Sequence, residues 1–205
     1  MIKKIKHHYK KAFSNFGATS RGVDWKDNFS SNLRHKIFLD YLIKNIESKP
    51  ITLLDVGCGY GAFYEYIKES HIRSIDYKGI DLVNEMINYA IENNSDEKFR
   101  VADFLSLDSN TKYDFLVLNG MLTQKFEFDD KIMNNFFDEV LKKINQICLK
   151  GYCFNVLSEN VDFKNPQNFY LSANQIKKKI NSFSNKKIIS IEEKKLFETF
   201  YFVIK

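Results

Sequence analysis

The order of apolar and polar positions divides the chain near Pro50. Before it the spacing is helical. Residues 3–14 predict a short basic and aromatic helix, and Leu33, Ile37, Tyr41 and Leu42 recur at the interval of an amphipathic helix over 32–47. A loop holding Gly17 and Gly22 joins the two, and Pro50 ends the second. Beyond Pro50 the rhythm alternates. Apolar runs predict strands at 51–56, 77–80, 99–102, 113–118 and 151–157, and helical periods fall at 62–70, 83–93, 130–147 and 174–183. Two last strands, near 186–192 and 197–204, are joined by a few residues around Glu192-Glu193-Lys194-Lys195, which leaves room only for an antiparallel hairpin.

Apolar strands separated by helices specify a parallel sheet covered on both faces. The expected class is α/β: a doubly wound, mostly parallel seven-stranded sheet with an antiparallel C-terminal hairpin and an N-terminal helical cap. One domain is expected over residues 1–205, with the cap at 1–48 and the core at 49–205. No repeat, low-complexity tract or Pro-rich linker interrupts it.

Composition narrows the function. Hydrophobic residues make up 44% of the 205, enough to bury a core and to exclude disorder as a description of the chain. No apolar run approaches the roughly 20 residues that cross a bilayer, so no membrane role is expected. The net charge of +5 comes from 31 basic and 26 acidic residues. The Lys are scattered among Glu and Asp rather than gathered in a stripe, which reads as a solvated surface and makes a nucleic-acid partner the lesser option. His7-His8-Tyr9-Lys10-Lys11 stand where a leader's apolar stretch would follow Met1-Ile2-Lys3-Lys4. Cys58, Cys148 and Cys153 lack metal-ligand spacing. A cytoplasmic protein with reduced thiols and no metal is expected.

The chemistry gathers at Leu53-Leu54-Asp55-Val56-Gly57-Cys58-Gly59-Tyr60-Gly61-Ala62, between the first predicted strand and its helix. Alternate glycines let the backbone turn tightly and approach a ligand beside a helix N-terminus. Gly57-x-Gly59-x-x-Ala62 formally meets a dinucleotide fingerprint, with Asp81 about 20 residues on. Asp55 argues otherwise. A carboxylate pointing into the space above the loop would repel a pyrophosphate at short range and suit a cationic ligand. Cys58 is expected to lend its backbone rather than its sulfur.

Asp55-x-Gly57-x-Gly59-x-Gly61 resembles the first motif of class I methyltransferases dependent on S-adenosylmethionine (SAM), whose sheet is Rossmann-like. Gly79-Ile80-Asp81-Leu82 is similar to the acidic end of that family's second strand. Arg100-Val101-Ala102-Asp103-Phe104 is similar to its third-strand turn, and Tyr113-Asp114-Phe115-Leu116-Val117-Leu118-Asn119-Gly120 to its fourth strand and the loop facing the methyl group. The resemblance implies SAM as cofactor, with Asp81 on the ribose, Asp103 at the adenine amino group, and Leu82, Ala102, Phe104, Asn119 and Gly120 lining the site. From the residues alone, Asp81 would equally cap the helix after it, and Asp103 would equally close a turn.

Methyl transfer from a sulfonium is an in-line displacement that asks the protein mainly for geometry and a dry site. The Asn/Asp-Pro-Pro-aromatic motif of exocyclic-nitrogen methyltransferases is absent: its position reads Asn119-Gly120-Met121-Leu122, and Asn165-Pro166 lies in a different element. No acid stands at 119 to hold Mg²⁺. A small-molecule acceptor is expected. The N-terminal region, with Tyr9, Phe13, Phe16, Trp25 and Arg34, resembles the cap of small bacterial methyltransferases found with surface-polysaccharide genes, as do Asn155, Ser158 and Tyr170. That resemblance implies a sugar-nucleotide or capsule precursor as acceptor, with Tyr9, Trp25, Arg34, Met121, Asn155, Ser158 and Tyr170 as acceptor contacts. The same aromatics read equally well as core of a helical layer. Tyr9, His8 and Asn119 are the candidate catalytic residues, and His7 and His35 further possible bases. RNA methylation, cofactor binding without turnover, and an NAD-dependent oxidoreductase are the alternatives.

Overall fold

The computed structural model describes residues 1–45, 50–94, 96–183 and 186–205. It divides into two compact units, Met1–Ser106 and Leu107–Lys205. The C-terminal end of the helix expected over 32–47, and the expected boundary between cap and core at 48/49, lie outside the described residues.

The first unit holds α1 (Ile2–Phe16), a 3-10 turn (Ser20–Val23), α2 (Asn28–Asn45), β1 (Ile51–Val56), α3 (Ala62–Glu69), β2 (Ile75–Asp81), α4 (Asn84–Asn93) and β3 (Phe99–Val101). β1 and β2 run parallel, with Asp55 opposite Gly79, and β2 and β3 run parallel, with Asp81 opposite Val101.

α2 departs from the expectation in two ways. It begins at Asn28, four residues early, because Asp27 and Ser30 cap it reciprocally: Ser30 N–H donates to Asp27 Oδ1 at 2.8 Å and Asp27 N–H donates to Ser30 Oγ at 3.3 Å. Its deepest stripe is His35, Phe38, Leu39 and Leu42, with Tyr41 beside it, whereas Leu33 and Ile37 are only half-buried. The helix is rolled by about one position because Phe38, its largest fully buried side chain, takes the centre.

The second unit holds β4 (Tyr113–Leu118), α5 (Asp130–Ile147), β5 (Cys148–Leu157), α6 (Ala173–Asn181), β6 (Lys187–Glu193) and β7 (Glu198–Ile204). β4 and β5 are parallel, and β5–β7 and β7–β6 are antiparallel. α5 buries Met133, Phe137, Val140, Leu141, Ile144 and Ile147 at helical spacing, and Asp129 caps it through Ile132 N–H at 2.7 Å. β5 starts three residues before the predicted strand, directly at the end of α5. Ammonium groups stand in for a connecting loop there: Lys112 donates to Gln146 O at 2.6 Å and Lys205 to Asn145 O at 3.0 Å.

The strand order is β3-β2-β1-β4-β5-β7-β6, the seven-stranded mixed sheet with an antiparallel hairpin that the alternation predicts. Among the described residues, no helix is long and apolar enough to cross a membrane.

Candidate active site

In the first unit the bend after β1 has a defined hydrogen-bond account. Gly57 and Cys58 N–H both donate to Ile80 O, at 2.8 and 3.0 Å, and Gly61 N–H donates to Cys58 O at 3.1 Å. Gly59 N–H donates to Asp81 Oδ2 at 3.0 Å. These four amides are therefore turned onto the protein itself, so the backbone role expected of Cys58 is corrected: its N–H stabilises the bend. Gly59, at φ +56, lies directly under Val23, whose methyl a Cβ would meet at 3.1 Å. Gly61, at φ +89, backs onto the Phe99 ring at 3.1 Å. Both require a residue without a side chain.

Asp81 joins three elements. Besides accepting from Gly59, its Oδ1 accepts from Val83 N–H at 2.9 Å ahead of α4, and its carbonyl accepts from Ala102 N–H at 2.9 Å after β3. Asp81 does not cap α4, whose N-cap is Val83 with no side-chain cap bond: its carboxylate closes the turn ahead of that helix and also fixes the glycine bend. Burial raises its pKa, against the backbone donors of Val83, Gly59 and Leu82 and the nearby Lys6, which lower it.

Asp103 closes its turn, with Oδ1 accepting from Leu105 N–H at 3.0 Å and Oδ2 from the Ser106 hydroxyl at 3.1 Å. Leu82 and Ala102 flank these carboxylates half-buried, whereas the Phe104 ring is buried.

Asp55 does not point into open space as expected. Its side chain is 2% exposed, Oδ2 accepts from the Tyr77 hydroxyl at 2.6 Å, and Oδ1 is buried without a partner among the described residues. Burial pushes its pKa up to about 7, opposed by the Tyr77 hydrogen bond. The reason is topological: β1 is covered on both faces, so a side chain one residue before its end remains inside.

α1 lies across the same unit. Phe13 stacks on Tyr60 of the bend at 6.3 Å between centroids and meets Tyr89 edge-on at 6.1 Å, while Lys10 pairs with Glu85 at 2.5 Å. Burial, then the charges of Asp24 and Asp81, raise the pKa of Tyr9. That phenol stays protonated at neutral pH, which removes it as a base and leaves it a hydrogen-bond donor. His8 is joined to Asp24.

Arg34 is expected to grip an anion, but its guanidinium lies 4.5 Å over the Trp25 ring and donates to Ser30 O at 2.9 Å. His35 is 4% exposed among Trp25, Phe63 and Tyr66, and burial followed by the Arg34 charge lowers its pKa to about 4. It is a neutral packing residue, not a base.

In the second unit, Gly120 follows β4 with φ +79. Its N–H donates to Asn155 Oδ1 at 2.7 Å, and its carbonyl accepts from the Thr123 hydroxyl at 2.8 Å. Asn155 is completely buried, and its Nδ2 donates to Glu198 Oε2 at 2.7 Å. This corrects its expected role. With both ends of the amide occupied, Asn155 supports the loop and does not meet an acceptor.

Ser158, 7% exposed, accepts from Asn160 N–H at 3.2 Å. The Tyr170 hydroxyl accepts from Asn165 N–H at 3.1 Å, and Met121 is half-buried. Asn119 Oδ1 is buried without a partner among the described residues.

A family model for a methyltransferase domain matches residues 47–199. The chain belongs to this methyltransferase family. A Mycobacterium tuberculosis protein named as a methyltransferase is 27% identical over 116 residues, 55% of this chain and 67% of that protein. One from Invertebrate iridescent virus 6, similarly named, is 38% identical over 85 residues, 42% of this chain but only 31% of its own length. Among solved structures, magnesium protoporphyrin IX methyltransferase from Synechocystis PCC 6803, with S-adenosylhomocysteine bound, superposes with a TM-score of 0.75 at 12% identity, covering 99% of each chain. At that identity the likeness is one of fold.

Membership carries the family's methyl donor, SAM, with it. The methyltransferase brings Asp55, Gly57, Cys58, Gly59, Gly61, Asp81, Leu82, Ala102, Asp103 and Phe104 together in its first unit. Asn119, Gly120, Met121, Asn155, Ser158 and Tyr170 belong to the second. Sequence reasoning missed two residues, Tyr77 beneath Asp55 and Glu198 behind Asn155. For Glu198 a signal existed: a lone acid inside Leu196-Phe197-Glu198-Thr199-Phe200-Tyr201-Phe202.

Proposed function

We propose that this methyltransferase moves the SAM methyl group onto a small-molecule acceptor, a hydroxyl, amino or phosphoramidate-type group of a sugar-nucleotide or capsule precursor, by in-line displacement without a metal. One observation carries the donor half of this reading. Gly57, Cys58, Gly59 and Gly61 spend their N–H groups internally, and carboxylates stand beside them at Asp55 and Asp81. A diphosphate would meet spent amides and the Asp81 carboxylate, whereas a sulfonium and an ammonium would meet favourable charge there. The buried, unpartnered Oδ1 of Asp55 fits a cationic ligand that finishes its hydrogen bonding directly or through water.

When bound, SAM supplies a methyl group already activated on sulfur. The protein's own residues then orient and exclude water. Asp81 and Asp103 are the ribose and adenine ligands in this reading, and the Tyr60, Phe13 and Tyr89 rings shield the bend. Tyr9 holds its proton and donates a hydrogen bond to an oxygen of the acceptor that does not take the methyl group. Asn119, an amide where a metal site would call for a carboxylate, supports transfer without a metal.

The sequence Asn119-Gly120-Met121-Leu122 lacks the Pro-Pro-aromatic run of exocyclic-nitrogen methyltransferases, which favours a small acceptor. A labelled-methyl assay with [methyl-³H]SAM on fractionated small metabolites tests this. Label is expected in a polar, anionic low-mass fraction. Label found instead in RNA, with binding that falls steeply as salt rises, would overturn it.

A further inference from the structure

The buried carboxylate of Glu198 has no place in the reaction as described. It opens β7, two residues from Phe200, and the antiparallel register sets Phe200 opposite Asn155 and Glu198 opposite Leu157. Asn155 and Glu198 are therefore diagonal neighbours on one face of the β5–β7 pair, close enough for their side chains to meet. Glu198 is 2% exposed and Asn155 fully buried. Glu198 Oε2 accepts from Asn155 Nδ2 at 2.7 Å, and Asn155 Oδ1 accepts from Gly120 N–H at 2.7 Å. Both contacts are short.

A buried carboxylate is costly, and replacing it with apolar packing is commonly neutral or stabilising. Its presence here calls for a use. A carboxylate acceptor polarises the amide that donates to it, which makes the amide oxygen a stronger acceptor in turn. The beneficiary is the Gly120 N–H. Gly120 sits at φ +79; the Thr123 hydroxyl holds its carbonyl at 2.8 Å, and the Asn155 amide oxygen holds its N–H.

We propose that Glu198 is a positioning residue for the methyl donor: acting through the Asn155 amide, it fixes the Asn119–Gly120 peptide and with it the protein's affinity for SAM. This rests on the reading of Asn119 and Gly120 as part of the donor site. Asn119 is held next to the fixed peptide, with a buried Oδ1 that has no partner among the described residues.

The test compares Glu198→Ala with Glu198→Gln. SAM affinity is read by titration calorimetry, exchange of the Gly120 amide by NMR, and folding by thermal denaturation. Glu198→Ala is expected to weaken SAM binding about tenfold and to speed Gly120 exchange by a similar factor, the scale of one charged hydrogen bond. Glu198→Gln keeps an amide oxygen as acceptor and is expected to stay within about threefold of the wild type. A purely structural role would lower the melting temperature and leave the affinity alone.

A folded Glu198→Ala protein with unchanged affinity overturns the proposal. If that variant does not fold, the wild type decides: a Gly120 amide exchanging as fast as exposed loop amides overturns it, and a protected one supports it. A wild type that fails to bind SAM defeats the donor reading instead, and Gly120 exchange in the two variants still decides whether Glu198 positions the peptide.

Discussion

The Tyr77 hydroxyl donates to Asp55 Oδ2 at 2.6 Å, and both side chains are buried inside the first unit. The pair stores a pH-dependent free energy. Asp55 ionises at about 7 when folded, against an ordinary 3.8. The folded state therefore holds a proton that the unfolded chain releases, and stability falls as pH rises from about 4 to 7. His35 acts with the opposite sign. Its folded pKa is about 4 against an ordinary 6.5, so stability falls as pH drops from 6.5 to 4.

The two slopes offset each other over most of that window, and the wild type is expected to be nearly flat in urea unfolding between pH 4.5 and 6.5. Asp55→Asn should unmask the His35 slope, with stability lost toward acid by about 3 kcal/mol at most. His35→Phe should unmask the Asp55 slope, with stability lost toward neutral pH by about 4 kcal/mol at most. Single variants as flat as the wild type would refute the pairing.

Binding of a cation should favour ionised Asp55. Below pH 7, SAM binding is expected to release protons, measurable by calorimetry in buffers of different ionisation enthalpy, and to tighten as pH rises through 7. Tyr77→Phe removes the hydrogen bond that lowers the Asp55 pKa, so the whole profile should move to higher pH. It should also cost about 1–3 kcal/mol of stability, because a buried acceptor loses its donor.

Asp81 serves both the bend and the turn ahead of α4. Asp81→Ala is expected to weaken SAM binding by several-fold or more and to destabilise the fold by about 1–2 kcal/mol through the lost Gly59 and Val83 hydrogen bonds. Unchanged affinity on calorimetry would remove Asp81 from the donor site while leaving its structural role in place.

Gly59→Ala forces a side chain into left-handed backbone and against Val23 at 3.1 Å. A loss of about 1–2 kcal/mol is expected from the backbone alone, and more with the clash. Val23→Ala in the same chain should return the part due to contact, so a double-mutant cycle should show coupling of about 0.5 kcal/mol or more. Strict additivity would mean that the turn carrying Val23 does not rest on the bend.

The sequence discloses whatever periodicity governs. β1, β4 and α5 fall at the predicted residues because each is a dense apolar pattern with clear stops. The order Asp55, glycine bend, Asp81, Asp103 also reads directly, since each lies at the end of a strand. Features set by side chains distant in sequence were hidden. The rolled stripe of α2 depends on Phe38 taking the centre. Three of the four spent amides of the bend depend on Ile80 and Asp81, more than 20 positions away. Arg34 reads as an anion ligand in the sequence, whereas Trp25, nine positions away, lies under its guanidinium. Asn155 reads as an acceptor contact because nothing local reveals that Glu198 and Gly120 occupy both ends of its amide.

All three thiols, Cys58 in the first unit and Cys148 and Cys153 in the second, are buried, and burial raises the pKa of Cys58 and of Cys148. Alkylating reagents can reach them only when the surrounding structure opens, so each half of the chain contains its own clock. Peptide-resolved labelling rates would reveal which half loosens first, and whether a bound nucleoside slows one of them, with no probe added to the protein.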